Sequence, residues 1–331
     1  LAPLTERFRA AGHRLYLVGG TVRDLLVDSG RTDFDLDLTT DARPAEIKAC
    51  LAGWADAIWS QGEKFGTIGA HKVNPVTGET RPYEITTFRA EAYTDDSRKP
   101  HVVFADDIEV DLSRRDFTVN AMALELTAGD AASPGDATEP VMPKLVDPFD
   151  GAIDLATKTL RTPMGPDVSF SDDPLRMLRA ARFIARYQLQ PSDELVAAVK
   201  EMADRLEIVS AERIRDELDK LMVVNHPSAG LWFLIETGLA DQFLPELPKM
   251  RLEHDPIHRH KDVLTHSLAV VENVRPIEEH PSIVAGERAS FDFRITRLAA
   301  LFHDVGKPRT RGYLEGKGTT FEGGVRVPFI A

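Results

Sequence analysis

A single cysteine, Cys50, stands in 331 residues, which excludes an internal disulfide framework and suits a reducing compartment. No apolar run approaches the length that crosses a bilayer, and no signal peptide opens the chain, so a cytoplasmic protein with no membrane partner is expected. Leu1 rather than Met comes first, so the natural N-terminus is expected to lie upstream. There is no low-complexity tract and no internal repeat. Basic charge is not in excess either: 40 Lys and Arg face 53 Asp and Glu, for a net charge of −13. That balance argues against a protein that coats itself in nucleic acid. It leaves room for a local basic stripe, because screening confines each patch to about 10 Å. What remains is ordinary globular composition, long enough for two or more cores.

The first 150 residues mix short apolar runs with turn signals, as α/β or α+β chains do. Strands are predicted at Leu15 to Val18, Phe34 to Leu38, Thr67 to Val73, Arg81 to Phe88 and Met122 to Leu126, and a short helix at Thr21 to Val27. Arg89 to Pro100 reads as a mobile polar loop, and Gly129 to Pro140 as the tip of a hairpin. After Asp150 helical periodicity takes over, at Pro174 to Tyr187, Ser192 to Leu206, Ala211 to Val223, Ala229 to Leu239, Val263 to Val274 and Arg294 to His303. Ser210, followed by Glu212 and Arg213, is a candidate N-cap.

In LVGGTVRDLLVDSGRTDFDLDLTT, Asp33, Asp35 and Asp37 occupy every second position, which on a strand points all three to one face. Like charges in a row repel, and a divalent cation over that face would give them a reason. Bridging Mg²⁺ ions can polarise a phosphoryl group, activate a hydroxyl and steady a leaving pyrophosphate. The competing reading is a solvent-facing strand edge protected by charge. Gly19 and Gly20 lie between a strand and a helix start, where backbone N–H groups and the helix dipole favour a triphosphate. Glu84, in RPYEITTFR, is the candidate third carboxylate from a neighbouring strand, since a buried Glu needs a partner or a metal. A surface Glu paired with Arg81 or Arg89 is the alternative.

GGTVRD, DLDLTT, YEITTFR and SRRDFTVNA occur here in the order found in bacterial tRNA nucleotidyltransferases, the CCA-adding enzymes, and their poly(A) polymerase relatives. On these motifs the chain resembles that family from Tyr16 to about Phe321. The resemblance implies an α+β nucleotidyltransferase head, a polymerase-β-like mixed sheet with helices, followed by an all-α neck, body and HD-like tail. The expected boundaries are 1–150 for the head, 151–253 for neck and body, and 254–331 for the tail. By position, the metal-binding aspartates become Asp35 and Asp37, with Asp33 a flanking residue. Gly19, Gly20 and Arg23 match the phosphate-binding turn. Arg114, Arg115, Asp116, Phe117, Thr118, Val119 and Asn120 match the motif that holds the incoming ribose and phosphates; paired arginines suit phosphate, and Asp and Asn can bond hydroxyls.

In SDDPLRMLRAARFIARY, Pro174 suits a first helical turn and Asp172 or Asp173 the N-terminal dipole. Arg176, Arg179, Arg182 and Arg186 share one broad helical face, and ion pairs on an acidic partner would account for Arg182 and Arg186. The resemblance makes Asp173 and Arg176 the pair that reads the Watson–Crick edge of the incoming base. CTP and ATP both offer an amine next to an acceptor; UTP and GTP do not. The family motif usually opens with Glu, where Asp172 stands here. SAERIRDEL matches the motif that braces the neck, with Glu212 and Arg213 as structural residues.

His258, His260, His266, His303 and Asp304 form a C-terminal cluster, and FHDVGKP carries the His-Asp pair of HD-type phosphohydrolases. Its ligand types suit a transition metal, with His266, His303 and Asp304 as the second metal set. A full site of that type needs a further downstream aspartate, and EGGVRVPFIA after Phe321 departs from the family and resembles a sulfatase segment.

The resemblance thus implies a template-independent, Mg²⁺-dependent enzyme that adds CCA to tRNA 3′ ends from CTP and ATP and releases pyrophosphate. Within the class, a poly(A) polymerase or a partial C- or A-adding enzyme shares the same head motifs. Outside it stand a metal phosphohydrolase acting on 2′,3′-cyclic phosphates and a non-catalytic RNA-binding module. The carboxylate ladder disfavours the last, because it repels phosphate.

Overall fold

The structure, a computed structural model, describes residues 1–27, 36–92, 101–127, 143–252, 262–276, 292–314 and 318–321. It divides into two compact units, Leu1–Gly165 and Pro166–Ala331.

The first unit is built on one mixed sheet. Its strands are β1 (Leu15–Val18), β2 (Leu36–Thr40), β3 (Ala57–Trp59), β4 (Thr67–Val73) and β5 (Thr80–Thr87). A separate two-stranded hairpin, β6 (Arg89–Ala92) and β7 (His101–Phe104), precedes the last two sheet strands, β8 (Ala123–Glu125) and β9 (Lys144–Val146). The sheet order is β3-β4-β5-β2-β1-β8-β9, and only the β2–β5 pair is parallel. Side chains alternate across it. Leu15, Leu17, Leu38, Ile68, Ala70, Tyr83 and Ile85 are buried on one face. Helices α1 (Ala2–Ala10) and α3 (Pro44–Leu51) supply Leu4, Phe8, Ile47 and Leu51 to the same unit's core, and Trp54 after α3 meets the Tyr83 ring edge-on at 5.2 Å.

The opposite face is apolar only in part. Tyr16, Val18, Phe88, Ala105 and Ala123 form a cluster with Ile108 and Leu112 of α4 (Ile108–Ser113). Burial, reinforced by the charge of Glu125, pushes the Tyr16 hydroxyl up to about 12, so it stays neutral there. Beyond this cluster, across β2 and β5, the face carries Asp37, Thr39, Glu84 and Thr86 and is polar.

In the second unit, α6 (Pro166–Asp172) leads into α7 (Leu175–Tyr187), α8 (Asp193–Met202), α9 (Ala211–Met222) and α10 (Ser228–Glu236). The chain continues through α11 (Leu239–Phe243), α12 (Glu246–Lys249) and α13 (Val263–Asn273) to a helix at Phe293–Phe302. The all-α expectation holds for the core of this unit; among its described residues the exceptions are the two-residue strand Gln190–Pro191 and a small hairpin, Arg311–Leu314 against Gly318–Phe321. Arg182 of α7 donates to the buried Glu217 of α9 at 2.8 Å. Arg297 is buried beneath the C-terminal end of α9, donating to the carbonyls of Met222, Val224 and Asn225. Those carbonyls have no partner within the helix, so a cation there is favoured twice, by hydrogen bonding and by the dipole.

Several sequence expectations need correction. Arg89–Ala92 is not loop but a strand, because His101–Phe104 gives it a ladder partner; residues 93–100 lie outside the described residues. The helix expected to reach Leu239 stops at Glu236, and a new one starts at Leu239 after Gly238. Arg186 lies over the Tyr187 ring at 5.5 Å rather than in the expected ion pair, whereas Arg182 makes its pair. The expected hairpin tip at Gly129 to Pro140 lies outside the described residues. Among the described residues, no helix is long and apolar enough to cross a membrane.

Candidate functional site

The glycine turn joins β1 to α2 (Gly20–Leu26), and Gly19 holds it with φ +72° and ψ −139°, a conformation open to glycine and strained for other residues. Two guanidinium groups crowd this turn. A Cβ built on Gly19 would lie 3.1 Å from Arg115 Nη1, and one on Gly20 would lie 3.2 Å from Arg23 Nη2. The absence of side chains at 19 and 20 is what lets both arginines lie against bare backbone.

Arg23 is buried, and a chain of side chains fixes it. Its Nε and Nη2 donate to Asp24 Oδ1 at 2.9 and 2.7 Å, and its Nη1 donates to Asn120 Oδ1. Asn120 Nδ2 donates in turn to Asp116 Oδ1 at 2.9 Å. All four residues are less than a tenth exposed. Thus Arg23, Asp116 and Asn120, separated by almost a hundred residues in the chain, form one continuous polar network.

Arg115 is held differently, by Asp111 Oδ2 at 3.2 Å. Asp111 is 1% exposed, and its other oxygen accepts from the Arg89 backbone N–H at 3.1 Å and lies 3.5 Å from Arg114 Nε. The sequence reading missed Asp111. Its signal was there, an acidic residue four positions before Arg115, the spacing at which side chains meet across one helical turn. Arg115 Nε is buried without a hydrogen-bond partner. Its Nη1, which lies beside the glycine turn, keeps a cationic donor there and suits an oxyanion such as phosphate.

Next along the sheet, Asp37 of β2 and Glu84 of β5 are register partners on parallel strands, so they project from the same face. Both are exposed. That corrects the expectation of a buried Glu84. Among the described residues, Glu84 makes no ion pair with Arg81 or Arg89. Asp33 and Asp35 lie outside the described residues. Two adjacent carboxylates facing water are hard oxygen donors of the kind Mg²⁺ prefers, and their mutual repulsion is relieved by a cation.

In the second unit, Asp173 Oδ1 accepts from the Leu175 N–H at 3.1 Å and so caps α7, while its Oδ2 takes Arg213 at 2.8 Å. The Arg213 brace therefore falls directly on the residue expected to read a base. Arg176 is buried, with Nη1 donating to Ser169 Oγ at 2.9 Å and its carbonyl at 3.3 Å. Burial pushes the Glu217 carboxyl up, but the charge and hydrogen bond of Arg182, with Lys220 and Arg179, hold it below its ordinary value. Ser210 caps α9 as expected, accepting from the Arg213 N–H.

His266, His303 and Asp304 do come together, with His303 Nε2 at 3.3 Å from His266 Nε2 and 3.2 Å from Asp304 Oδ2. Two imidazoles and a carboxylate suit a transition metal. Lys307 Nζ also sits 2.6 Å from Asp304 Oδ2 and competes for that oxygen. His258 and His260 lie outside the described residues.

Three family profiles match the chain: the Poly A polymerase head domain over residues 15–161, the probable RNA and SrmB-binding site of polymerase A over 188–250, and the HD domain over 263–327. The CCA-adding enzyme of Lactobacillus helveticus is 35% identical over 240 residues, 72% of this chain and 53% of that protein. That of Lactococcus lactis subsp. lactis is 36% identical over 252 residues, 76% of this chain and 57% of that protein. The chain therefore spans just over half the length of these curated relatives. Among solved structures, the Bacillus stearothermophilus CCA-adding enzyme in complex with CTP superposes with a TM-score of 0.60 and 25% identity, over 92% of this chain and 73% of that one. A tRNA nucleotidyltransferase complexed with a primer tRNA and an incoming ATP analog shares the fold, with a TM-score of 0.63 and 23% identity over 91% of this chain and 75% of that one.

Proposed function

The chain belongs to the poly(A) polymerase and CCA-adding enzyme family, and from that premise we propose that it adds CCA to tRNA 3′ ends without a template, using CTP and ATP. One observation carries this reading: Asp37 and Glu84 stand side by side on the face of the sheet whose next strand ends in the Gly19–Gly20 turn, with Arg115 and Arg23 against it.

The division of labour follows from that layout. The turn's N–H groups and Arg115 hold the triphosphate. Arg23 positions Asn120 and Asp116, which offer an amide and a carboxylate to the ribose hydroxyls. Asp35, Asp37 and Glu84 would hold Mg²⁺, which when bound would supply Lewis acidity to ease loss of the 3′-hydroxyl proton and to offset charge on the departing pyrophosphate. Asp173 and Arg176 pair with the base edge, with Arg213 fixing the Asp173 carboxylate. The head then takes residues 1–150, the neck and body 151–253, and the HD-like tail 254–331, with His266, His303 and Asp304 as a site for a transition metal.

Purified protein with Mg²⁺, CTP and ATP is expected to extend tRNA lacking its terminal CCA by three nucleotides, and a tRNA left unextended would falsify the reading. Supplying each of the four nucleotides singly separates the sister activity: long A tails made without CTP would make it a poly(A) polymerase.

A further inference from the structure

The carboxylates belong to a longer row. Glu84 is the register partner of Gly69 on β4, and Gly69 is the register partner of Trp59 on β3. Asp37, Glu84, Gly69 and Trp59 therefore share one face across four adjacent strands. Gly69 contributes no side chain, and the indole of Trp59 fills the space. A Cβ on Gly69 would come within 2.0 Å of Trp59 Cε2 and 2.2 Å of its Nε1. The ring is steadied by His71, two residues on along β4, which meets it edge to face with centroids 4.5 Å apart. With strands spaced about 4.8 Å, the indole over Gly69 lies roughly one strand from Glu84. Trp59 is partly exposed rather than core.

The sheet order gives this aromatic a direction. An in-line displacement places the attacking hydroxyl and the leaving pyrophosphate on opposite sides of the reacting phosphorus. Arg115 and the glycine turn lie at the end of β1, on one side of Asp37; β5, β4 and β3 lie on the other. If the phosphates sit at the turn, the acceptor strand must bring its 3′-hydroxyl over β5 and β4. Its terminal base then falls where Trp59 stands.

We propose that Trp59 is a stacking platform for the base of the RNA nucleotide that carries the attacking 3′-hydroxyl, with Gly69 kept bare to seat the indole. The proposal rests on the nucleotidyl-transfer reading for its direction. Every base has a π-face, so such a platform holds any 3′ end and accepts C and A in turn. The indole acts on affinity and placement of the acceptor, and Asp37 and Glu84 remain the groups at the reacting atoms.

Two measurements test it on the full chain. In steady-state kinetics, Trp59→Ala raises the KM for a tRNA lacking its last three nucleotides by about ten-fold, the effect of losing one stacked base. The KM for CTP stays within about two-fold, and Trp59→Phe restores most of the loss. A Trp59→Ala variant whose RNA KM is unchanged, or whose defect lies in the CTP KM, overturns the proposal. The second reads binding without turnover. The chain has three tryptophans, and Trp54→Phe with Trp232→Phe leaves Trp59 as the sole indole fluorophore. A short single-stranded RNA ending in cytidine quenches it, and the same RNA with an abasic 3′ terminus does not; equal responses overturn the proposal. Absence of nucleotide transfer with base-dependent quenching intact would sink the transfer reading alone. Transfer with no quenching would sink the platform alone.

Discussion

Asp37 and Glu84 face water from the same side of a parallel strand pair as direct register partners. Exposed Glu84 faces a like charge across this register, so neutralising it should separate function from stability. Glu84→Gln is expected to lower kcat by on the order of 100-fold or more. The melting temperature should hold or rise slightly, since an exposed substitution moves stability within about 0.5 kcal/mol. A kcat within three-fold of the parent would remove Glu84 from the metal site.

The Arg23–Asn120–Asp116 network predicts the opposite signature. Asn120→Ala deletes the acceptor of Arg23 Nη1 and the donor to Asp116 together, leaving both buried groups short of a partner. The expected cost is about 2 kcal/mol by chemical denaturation, with a higher KM for CTP because Arg23 keeps Asp24 but loses its hold on the Asn120–Asp116 side of the network. If stability drops with CTP affinity unchanged, the network is scaffold and not part of the nucleotide site.

Gly19 joins the two effects. At φ +72° an alanine costs about 1 kcal/mol of backbone strain, and its Cβ would sit 3.1 Å from Arg115 Nη1. Gly19→Ala should therefore raise the KM for CTP more than Gly12→Ala, which has φ +81° and open space around it. Equal kinetics in the two variants would mean that Arg115 does not depend on the bare turn.

How much of this was legible beforehand depended on range. The β1 strand, Gly-Gly turn and β4 strand were visible because their signals are local: apolar runs ended by glycine or polar residues. The Ser210 cap was equally local. Asp37 and Glu84 could be named as candidates, but their adjacency depends on β2 and β5 pairing in parallel across almost fifty residues, which no local pattern encodes. For the same reason no local pattern chooses between a buried and a surface Glu84: it is exposed while flanking Ile85 and Tyr83 are buried on the other face. Asp111 was missed because a carboxylate near two arginines reads as a surface pair until burial is known. The β6 strand is hidden because polar residues dominate the Arg89 to Pro100 stretch as a whole, and its partner His101–Phe104 is needed to see it.

In the helical unit, pH should report on Glu217. Its carboxyl is held below its ordinary value of 4.5 against the opposing effect of burial, chiefly by Arg182. A folded value below the unfolded one means the stabilisation is complete above pH 4.5 and is lost as pH falls through the folded value. Glu217→Gln is thus expected to destabilise the protein at pH 7, with the gap from the parent narrowing as pH drops below 4.5. Urea melts across pH 7 to 3 check it; a gap that stays constant would mean the carboxylate charge contributes nothing.

The histidine cluster turns on one competitor. Asp304 Oδ2 receives Lys307 Nζ at 2.6 Å while lying 3.2 Å from His303 Nε2, so a metal taking that oxygen must face or displace an ammonium group. Lys307 is partly exposed, which screens but does not abolish the repulsion. Lys307→Ala should then strengthen Ni²⁺ or Zn²⁺ binding to the full chain by about ten-fold, measured by titration calorimetry. His303→Ala should abolish the same binding, because the two remaining groups, His266 and Asp304, lie 3.8 Å apart and offer one imidazole and one shared oxygen. If Lys307→Ala leaves affinity unchanged and His303→Ala does too, the trio is a hydrogen-bonded corner that ties α13 to the end of the Phe293–Phe302 helix, and its resemblance to a metal site is a matter of residue type alone.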